Sequence, residues 1–216
     1  MSCFGGWLNK EQEQTRILKE KNYFGSTLFK GRTNFKLILV GDLDSGKTTI
    51  ERRLAGEAVS ETYEPRCSEF SNLILPINDY QIKVCLWDTM GQERFVNRLP
   101  TPYYRGSDFI FMVYDITSLT SFTNLSLNWL SAVTQQQKQQ ANVNCVTPNI
   151  LIIGNKLDLS DKRVVSFEQG QTFAQENGCE YLEISAFKGD NFQSLKDHII
   201  NYIQQKIKIE SDNLNK

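Results

Sequence analysis

The stretch GDLDSGKTTI, residues 41–50, decides the fold because of what surrounds it. The apolar run FKLILV, residues 35–40, precedes it, and IERRLAGE, residues 50–57, follows it with helical character. The stretch itself matches Gly-x-x-x-x-Gly-Lys-Thr, a loop whose backbone N–H groups, together with the helix N-terminus, can surround a phosphate chain. The sequence therefore predicts a phosphate-binding loop between a strand and a helix.

The residue types of this loop suggest separate tasks. Lys47 is expected to reach the β- and γ-phosphates, and the hydroxyl of Thr48 is expected to bind Mg²⁺. Leu43 and Asp44 are unusual, because a loop wrapped tightly around phosphate more easily takes small residues. The residues predicted to line the phosphates are Asp44, Ser45, Gly46, Lys47, Thr48 and Thr49.

The overall composition is that of an ordinary globular chain. Its 216 residues suffice for one domain, and they are 40% apolar and 23% charged. The formal net charge of −1 gives no reason to expect a nucleic acid as partner. No run approaches the roughly 18 consecutive apolar residues that a membrane-spanning helix needs, and the N-terminus lacks the features of a secretory signal.

The cysteines give no indication of a metal site. Five of them are scattered along the chain without a Cys-x-x-Cys pair, and the single histidine, His198, cannot complete a zinc site with them. We interpret Cys85 and Cys145 as buried or incidental thiols in a reducing compartment, which makes the cytoplasm the expected location.

The first 34 residues differ from the rest and are predicted to form an N-terminal extension. NKEQEQTRILKEKN, residues 9–22, is typical of a polar helix with Asn9 as its N-cap. The following FGSTLFKGRTN is typical of a flexible connector. We predict the main domain at residues 35–209 and a short C-terminal tail at 210–216.

Beyond this extension, short apolar runs alternate with helical stretches. Runs that each predict a strand lie at residues 35–40, 70–78, 81–88, 108–116, 149–158 and 181–185. Longer helices are predicted near residues 119–137, 166–177 and 191–209. The second and third runs indicate an antiparallel hairpin, in which Pro76 implies an edge strand. The alternation predicts an α/β fold with a mainly parallel sheet, helices on both faces, and ligands at the carboxyl ends of the strands.

The segment WDTMGQERF, residues 87–95, follows the third predicted strand. Asp88 ends that strand, where it can hold Mg²⁺, usually through water, and Gln92 can orient an attacking water. An aspartate and a glutamine in a loop are common. The segment indicates a metal-binding and water-orienting loop only because it follows a predicted phosphate-binding loop at the appropriate place in an α/β chain.

The segments NKLD, residues 155–158, and ISAF, residues 184–187, follow two later strands. The carboxylate of Asp158 can accept hydrogen bonds from the ring N–H and the exocyclic amine of guanine, whereas adenine offers no such pair. Lys156 can lay its aliphatic stem over the base. The backbone N–H groups of Ser185 and Ala186 could meet the base oxygen. These loops therefore predict a guanine nucleotide as ligand.

Taken together, these segments resemble a known family. WDTMGQERF, YYRG at residues 103–106 and MVYDIT at residues 112–117 are similar to Rab signatures, so the chain resembles Ras-superfamily small GTPases, most of all the Rab branch. The resemblance implies a six-stranded sheet with five helices, GTP and GDP as ligands with Mg²⁺, and two loops that reorder with the γ-phosphate. It also implies that Gly91, Asn155 and Phe187 contact the nucleotide. The loop DSGKTTI is closer to Arf and heterotrimeric α-subunit sequences.

The first departure from this family lies in AVSETYEPRCSEF, residues 58–70. The family places a threonine here that completes the Mg²⁺ shell. Two ways of aligning the loop put Pro65 or Arg66 at this position, and neither can replace a threonine. Thr62 could serve if the loop takes a different path, and Arg66 could instead approach the phosphate like an arginine finger.

A second departure is Leu43, where Ras proteins carry a glycine. A branched side chain beside the γ-phosphate would crowd Gln92 and the attacking water, and a misplacement near 1 Å can cost ~100-fold in rate. We therefore expect slow hydrolysis; the alternative is that Leu43 points into solvent or a partner. Met90 replaces an alanine of the family, and its bulk beside Gly91 should restrain the second of the two reordering loops. Phe187 replaces a lysine of the family, which should leave base stacking to Lys156.

The chain ends also depart from the family. No cysteine follows Cys179, so we expect no C-terminal prenylation, and Ser2 stands where myristoylation needs a glycine. Acylation of Cys3 stays open. Membrane contact is therefore expected to be weak at most.

Two hypotheses of different classes remain. The first is a GTP–Mg²⁺-dependent switch with slow hydrolysis that displays a surface to protein effectors, as in vesicle trafficking. The second is a structural or adaptor subunit of a larger assembly, for example in a cilium or the cytoskeleton, that keeps the fold with a permanently bound nucleotide. The altered loop at residues 58–70, the expected absence of a lipid anchor and the N-terminal helix favour the structural subunit. The intact loop that contains Gln92 favours the switch.

Overall fold

The computed structural model describes residues 33–60, 70–77, 80–89, 101–140 and 147–214. The predicted N-terminal helix and the connector up to residue 32 lie outside the described residues, as do the loops at 61–69 and 90–100. None of the helices in the described ranges is long and apolar enough to cross a membrane.

Six strands form one sheet in the order β2-β3-β1-β4-β5-β6. They are β1 (Asn34–Val40), β2 (Phe70–Ile77), β3 (Tyr80–Asp88), β4 (Phe109–Asp115), β5 (Asn149–Asn155) and β6 (Glu180–Glu183). β2 runs antiparallel to β3, and every other neighbouring pair is parallel. The predicted α/β fold with a mixed, mostly parallel six-stranded sheet is therefore confirmed.

Helices pack on both faces of this sheet, as predicted. They are α1 (Lys47–Leu54), α2 (Thr101–Tyr104), α3 (Leu119–Asn124), α4 (Ser131–Gln140), α5 (Phe167–Glu176) and α6 (Phe192–Leu214). One buried cluster joins the sheet to Ile50 of α1 and Leu195 of α6. The other joins it to Trp129 and to Ala174 of α5. Alternate residues of β1 belong to different clusters, because successive side chains of a strand point to opposite faces.

The edge position of β2 explains its composition. Its side chains alternate, with Leu73, Leu75 and Ile77 buried and Phe70 and Ile74 exposed. A proline is tolerated in β2 because an edge strand has neighbours on one side only. The predicted hairpin and the edge position of its first strand are confirmed.

The helix predicted near residues 119–137 changes its hydrogen-bonding pattern along its length. A π-helical segment, Leu125–Leu130, separates α3 from α4. Segments of this kind are rare and are found frequently at functional sites. The sequence shows no glycine or proline in this segment that would have indicated it.

The last helix is longer than predicted. It continues to Leu214, through residues 210–214 that the sequence assigned to the C-terminal tail. Neither glycine nor proline lies between residues 205 and 216, so the chain carries no signal that would end the helix at residue 209.

Candidate functional site

The predicted site residues within the described ranges follow β1, β3, β5 and β6. These four strands are parallel members of one sheet. Because the carboxyl ends of parallel strands meet at the same edge of a sheet, the loops that follow them lie together.

The phosphate-binding loop ends where α1 begins. Gly46 is the N-cap of α1 with a φ of 93°, in the left-handed region that favours glycine. Among the described residues, no side chain caps this helix, and the first N–H groups of an α-helix have no acceptor within the helix itself. Helix N-termini of this kind bind phosphate.

Lys47 projects into this loop from the first turn of α1. Only 5% of the residue is exposed, and its Nζ donates to the carbonyl oxygens of Gly41 at 2.8 Å and Asp42 at 2.7 Å. Burying an ammonium group is costly unless its charge is compensated. Phosphate oxygens in the loop would be acceptors of opposite charge for this group.

Asp42 was not among the predicted site residues, yet it fastens the loop to the neighbouring helices. Its carboxylate accepts hydrogen bonds from Asn124 Nδ2 at 2.6 Å and from Trp129 Nε1 at 3.0 Å. Asn124 ends α3, and Trp129 lies in the π-helical segment. The pairs lie 82 and 87 positions apart in the chain, so no local pattern could have indicated these contacts.

The two predicted metal ligands are direct neighbours. Thr48 Oγ1 donates a hydrogen bond to Asp88 Oδ2 at 2.6 Å, and Asp88 is buried at the end of β3. Mg²⁺ prefers such oxygen ligands, and it is commonly held by one or two protein oxygens together with phosphates and water. The donor set therefore fits Mg²⁺ bound beside a phosphate chain. Within the described ranges, no group of three or more His, Cys, Asp or Glu side chains could hold a metal ion.

Asn155 joins the phosphate loop to the loop after β6. Its Nδ2 donates to the carbonyl of Ser45 at 2.9 Å, and its Oδ1 accepts from the N–H of Ala186 at 3.0 Å. All three residues are buried. One side-chain amide therefore sets the spacing between the two loops.

Asp158 is oriented by the loop after β6. Ser185 Oγ donates to Asp158 Oδ1 at 2.5 Å, and Ser185 Oγ itself accepts from the N–H of Lys188 at 2.8 Å. These bonds direct one carboxylate oxygen towards the protein and leave acceptor capacity for donors of a ligand.

Lys156 is held by a residue that the sequence reading missed. Its Nζ forms an ion pair with Asp115 Oδ2 at 2.7 Å, and the amide and hydroxyl of Thr117 donate to Asp115 Oδ1. Burial by itself raises the pKa of Asp115, but the hydrogen bonds from Lys156 and Thr117 outweigh it, so this pKa lies below its usual value. Asp115 thus stays ionised and fixes the end of the lysine side chain.

The remaining predicted residues differ in exposure. Leu43 is 45% exposed and Phe187 is 40% exposed, and Thr49 is half-buried. Asp44 is exposed and has a φ of 60°, a left-handed conformation that aspartate tolerates better than most residues. Asp44 was identified from the sequence as an unusual residue in this loop. The backbone conformation of Asp44 is one that glycine would adopt without strain.

Several candidate residues lie outside the described part of the chain. These are Gln92 and Gly91, the neighbouring Met90, and Thr62, Pro65 and Arg66 of the first loop. Their predicted roles in water positioning, nucleotide contact and metal binding stay predictions.

Known proteins are similar to the part of the chain that carries these strands and loops. A sequence profile of the Ras family matches residues 36–205. The chain is 40% identical to the Ras-related protein Rab-10 of Caenorhabditis elegans over 153 residues, 70% of this chain and 72% of the relative. It is 34% identical to the Ras-related protein Rab-1 of Theileria parva over 176 residues, 80% and 76% of the two chains. Its identity to the Ras-related protein Rab-8B of Homo sapiens is 36% over 160 residues, 74% and 73% of the two chains.

Proposed function

Since the chain belongs to the Ras family, we propose that it is a Rab-like guanine-nucleotide switch that binds GTP and GDP with Mg²⁺. Ras and Rab proteins in general bind guanine nucleotides with Mg²⁺. The observation that carries the proposal is the pair of hydrogen bonds made by Asn155 to Ser45 and Ala186. A bound nucleotide needs a fixed separation between the phosphate loop and the base loop, which is the loop after β6 that contains Ser185, Ala186 and Phe187. The contact made by Asn155 sets that separation.

In this proposal the phosphate end is bound by Lys47 and by the N–H groups at the start of α1. Thr48 and Asp88 hold Mg²⁺, which supplies positive charge beside the β- and γ-phosphate oxygens. The support is the burial of Lys47 beside the loop and the contact between Thr48 and Asp88. The loop residues that line the phosphates are Asp44, Ser45, Gly46 and Thr49.

The base end reads guanine through hydrogen bonds. Asp158 accepts from the ring N–H and the exocyclic amine. In this structure the N–H groups of Ser185 and Ala186 donate to Asp190 O at 3.1 Å and Asn155 Oδ1 at 3.0 Å, so they meet the base oxygen only by sharing or exchanging these acceptors. Adenine lacks that amine and presents an acceptor to the carboxylate, so it is rejected. Lys156 covers one face of the base with its stem, since Asp115 holds its ammonium group. Phe187 lies at the rim of this loop, with its ring partly exposed.

Gly46→Ala is expected to weaken GDP binding by at least about tenfold, or roughly 1.4 kcal/mol. A Cβ at this position would lie 2.2 Å from Asn155 Nδ2, so the amide that sets the loop spacing must move. The left-handed φ adds a cost of about 1–2 kcal/mol to folding. Titration calorimetry with GDP and a thermal melt of the same samples measure the two effects.

The matched control for this substitution is Gly56→Ala. Gly56 also has a left-handed φ, of 81°, but a Cβ there meets nothing within 4 Å. Both variants should lose stability, and only Gly46→Ala should lose affinity. Equal GDP affinities in the two variants would contradict the role given to Asn155.

We propose in addition that hydrolysis is slow because Leu43 crowds the γ-phosphate side of the site, where Gln92 orients water. Leu43→Gly should then raise the single-turnover rate of GTP hydrolysis by about tenfold or more, measured by phosphate release. Leu43→Met keeps the bulk and should not. Since Leu43 is 45% exposed, an unchanged rate in the glycine variant would favour the alternative in which Leu43 points into solvent or a partner.

A row of three aromatic rings, exposed at Phe70 and half-buried at Trp87 and Tyr103, supports the proposal of a surface for protein effectors. The Phe70 ring, on a residue that is 54% exposed, lies 5.8 Å from Trp87, which lies 6.2 Å from Tyr103 between ring centroids. Ile74 is exposed on the same side of β2. Exposed patches rich in aromatic residues commonly mark protein interfaces. In the chain, Phe70 directly follows residues 61–69 and Tyr103 comes shortly after residues 90–100, two segments that are expected to respond to the γ-phosphate.

The proposal is tested on the full-length protein, purified without added nucleotide. Chromatography of the denatured sample identifies bound nucleotide, and release and turnover are then followed with Mg²⁺ and with EDTA. We expect bound GDP or GTP and faster release in EDTA, since Mg²⁺ and the phosphates are held together. If no guanine nucleotide copurifies and none binds, the role proposed for Asp158 in recognising guanine is wrong. Nucleotide that neither exchanges nor turns over would instead favour a structural subunit.

A further inference from the structure

Arg53, in the last turn of α1, reaches across to the loop that follows β6. Its Nε donates to the carbonyl of Ala186 at 2.6 Å, and its Nη2 donates to the carbonyl of Phe187 at 2.5 Å. Arg53 lies 133 and 134 positions before these two residues in the chain. We propose that Arg53 is a positioning residue that holds the base loop in its binding conformation and thereby prolongs the lifetime of bound nucleotide. This inference rests on the proposed guanine-nucleotide function.

The effect on the loop follows from which groups are held. Asn155 accepts from the N–H of Ala186, and Arg53 donates to its carbonyl oxygen. These two groups belong to the successive peptide units on either side of the Ala186 Cα. Both units are therefore fixed in orientation.

An arginine suits this task better than a lysine. Its planar guanidinium presents several donors in a rigid fork, and here two of them reach two successive carbonyls. The guanidinium carbon lies 5.6 Å from the ring centroid of Phe192, a buried residue that provides a fixed platform. Gly189 leaves room on another side, since a Cβ there would lie 3.0 Å from Arg53 Nη1.

The position of Arg53 couples the two ends of the proposed site. α1 begins with Lys47 and Thr48, beside the phosphates, and carries Arg53 in its last turn. A single short helix therefore contacts both the phosphate end and the base loop. Arg53 does not bond to Asp158 in the described structure, so we expect it to affect how long a nucleotide stays bound more than which base is chosen.

The experiment measures release of a fluorescent GDP analogue from the full-length protein with Mg²⁺ present. Arg53→Ala should release it at least about tenfold faster, since it removes two charge-assisted hydrogen bonds from the loop. Arg53→Lys should release the analogue at a rate between those of the wild type and Arg53→Ala, because the lysine ammonium group keeps the positive charge but lacks the planar fork of donors. Lys196→Ala is the control: Lys196 lines the same open cleft as Arg53, and this variant should release GDP like the wild type.

Amide hydrogen exchange separates positioning from a general loss of stability. In Arg53→Ala, exchange should rise at residues 185–189 and stay unchanged at residues 41–48. Release at the wild-type rate, or exchange that rises equally in both loops, would overturn the inference while leaving the proposed function in place. A wild-type protein that binds no guanine nucleotide would overturn the proposed function, and this inference with it.

Discussion

Lys47→Ala is expected to weaken GDP binding by at least roughly 100-fold. Each charge-assisted hydrogen bond contributes about 1.5–3 kcal/mol, and at 1.4 kcal/mol per factor of ten two such bonds to phosphate account for this loss. Lys47 is 5% exposed and already directed across the loop, so it needs little rearrangement to meet a phosphate.

Calorimetric titration with GDP in the presence of Mg²⁺ measures this loss. Lys83→Ala provides the matched control, because Lys83 lies in β3 opposite Ile74, at the far side of the hairpin from the phosphate loop, and its loss removes the same charge. Since Lys47 also bonds to two loop carbonyls, a thermal melt must show that Lys47→Ala is folded. A folded Lys47→Ala variant that binds GDP as the wild type does would contradict the assignment of the phosphate site.

Asp158→Asn is expected to lower GDP affinity by about 100-fold or more. The substitution keeps the shape of the side chain but replaces a carboxylate oxygen by an NH₂ group, which faces the donors of guanine instead of accepting from them. Ser185 Oγ already donates to Oδ1, so the amide oxygen is drawn towards the serine and the NH₂ group towards the base. A buried donor without an acceptor costs about 1–3 kcal/mol, in addition to the bonds that are lost.

Competition between GDP and ADP for the variant provides the specificity readout. The preference for GDP over ADP should collapse in Asp158→Asn, while Asp161→Asn, the same change on an exposed residue of the same 3₁₀ segment, Leu157–Lys162, should keep it. A preserved preference in Asp158→Asn would mean that guanine is read by other groups.

The fold followed from local patterns. Apolar runs that end in glycine or polar loops alternate with helical stretches, and the six strands lie where those runs lie. Pro76 marked the edge strand because a proline lacks the N–H that a central strand needs. The π-helical segment and the extension of α6 to Leu214 were not predicted, since neither carries a composition signal.

The candidate residues of the site were also readable where chemistry is carried by short segments. Lys47 and Thr48 come shortly after the first predicted strand, Asp88 ends the third, and Asp158 belongs to the polar end of a later run. The structure brings these strand ends to one edge of the sheet. Parallel strands make that convergence a consequence of the fold class. The loops with Gln92 and Arg66 lie outside the described residues, so their roles rest on sequence alone.

By itself, the sequence determined the fold class, and it predicted the phosphate-binding loop and the residue types that would read guanine, because these depend on periodicity and on spacing within short segments. Only the tertiary structure decided what holds the loops in place: Asp42 bound to Trp129, Asp115 paired with Lys156, and Arg53 donating to the base loop. The residues of each pair lie between 41 and 133 positions apart in the chain. The order in which strands pair determines which of these side chains meet, and no local pattern in the chain records that order.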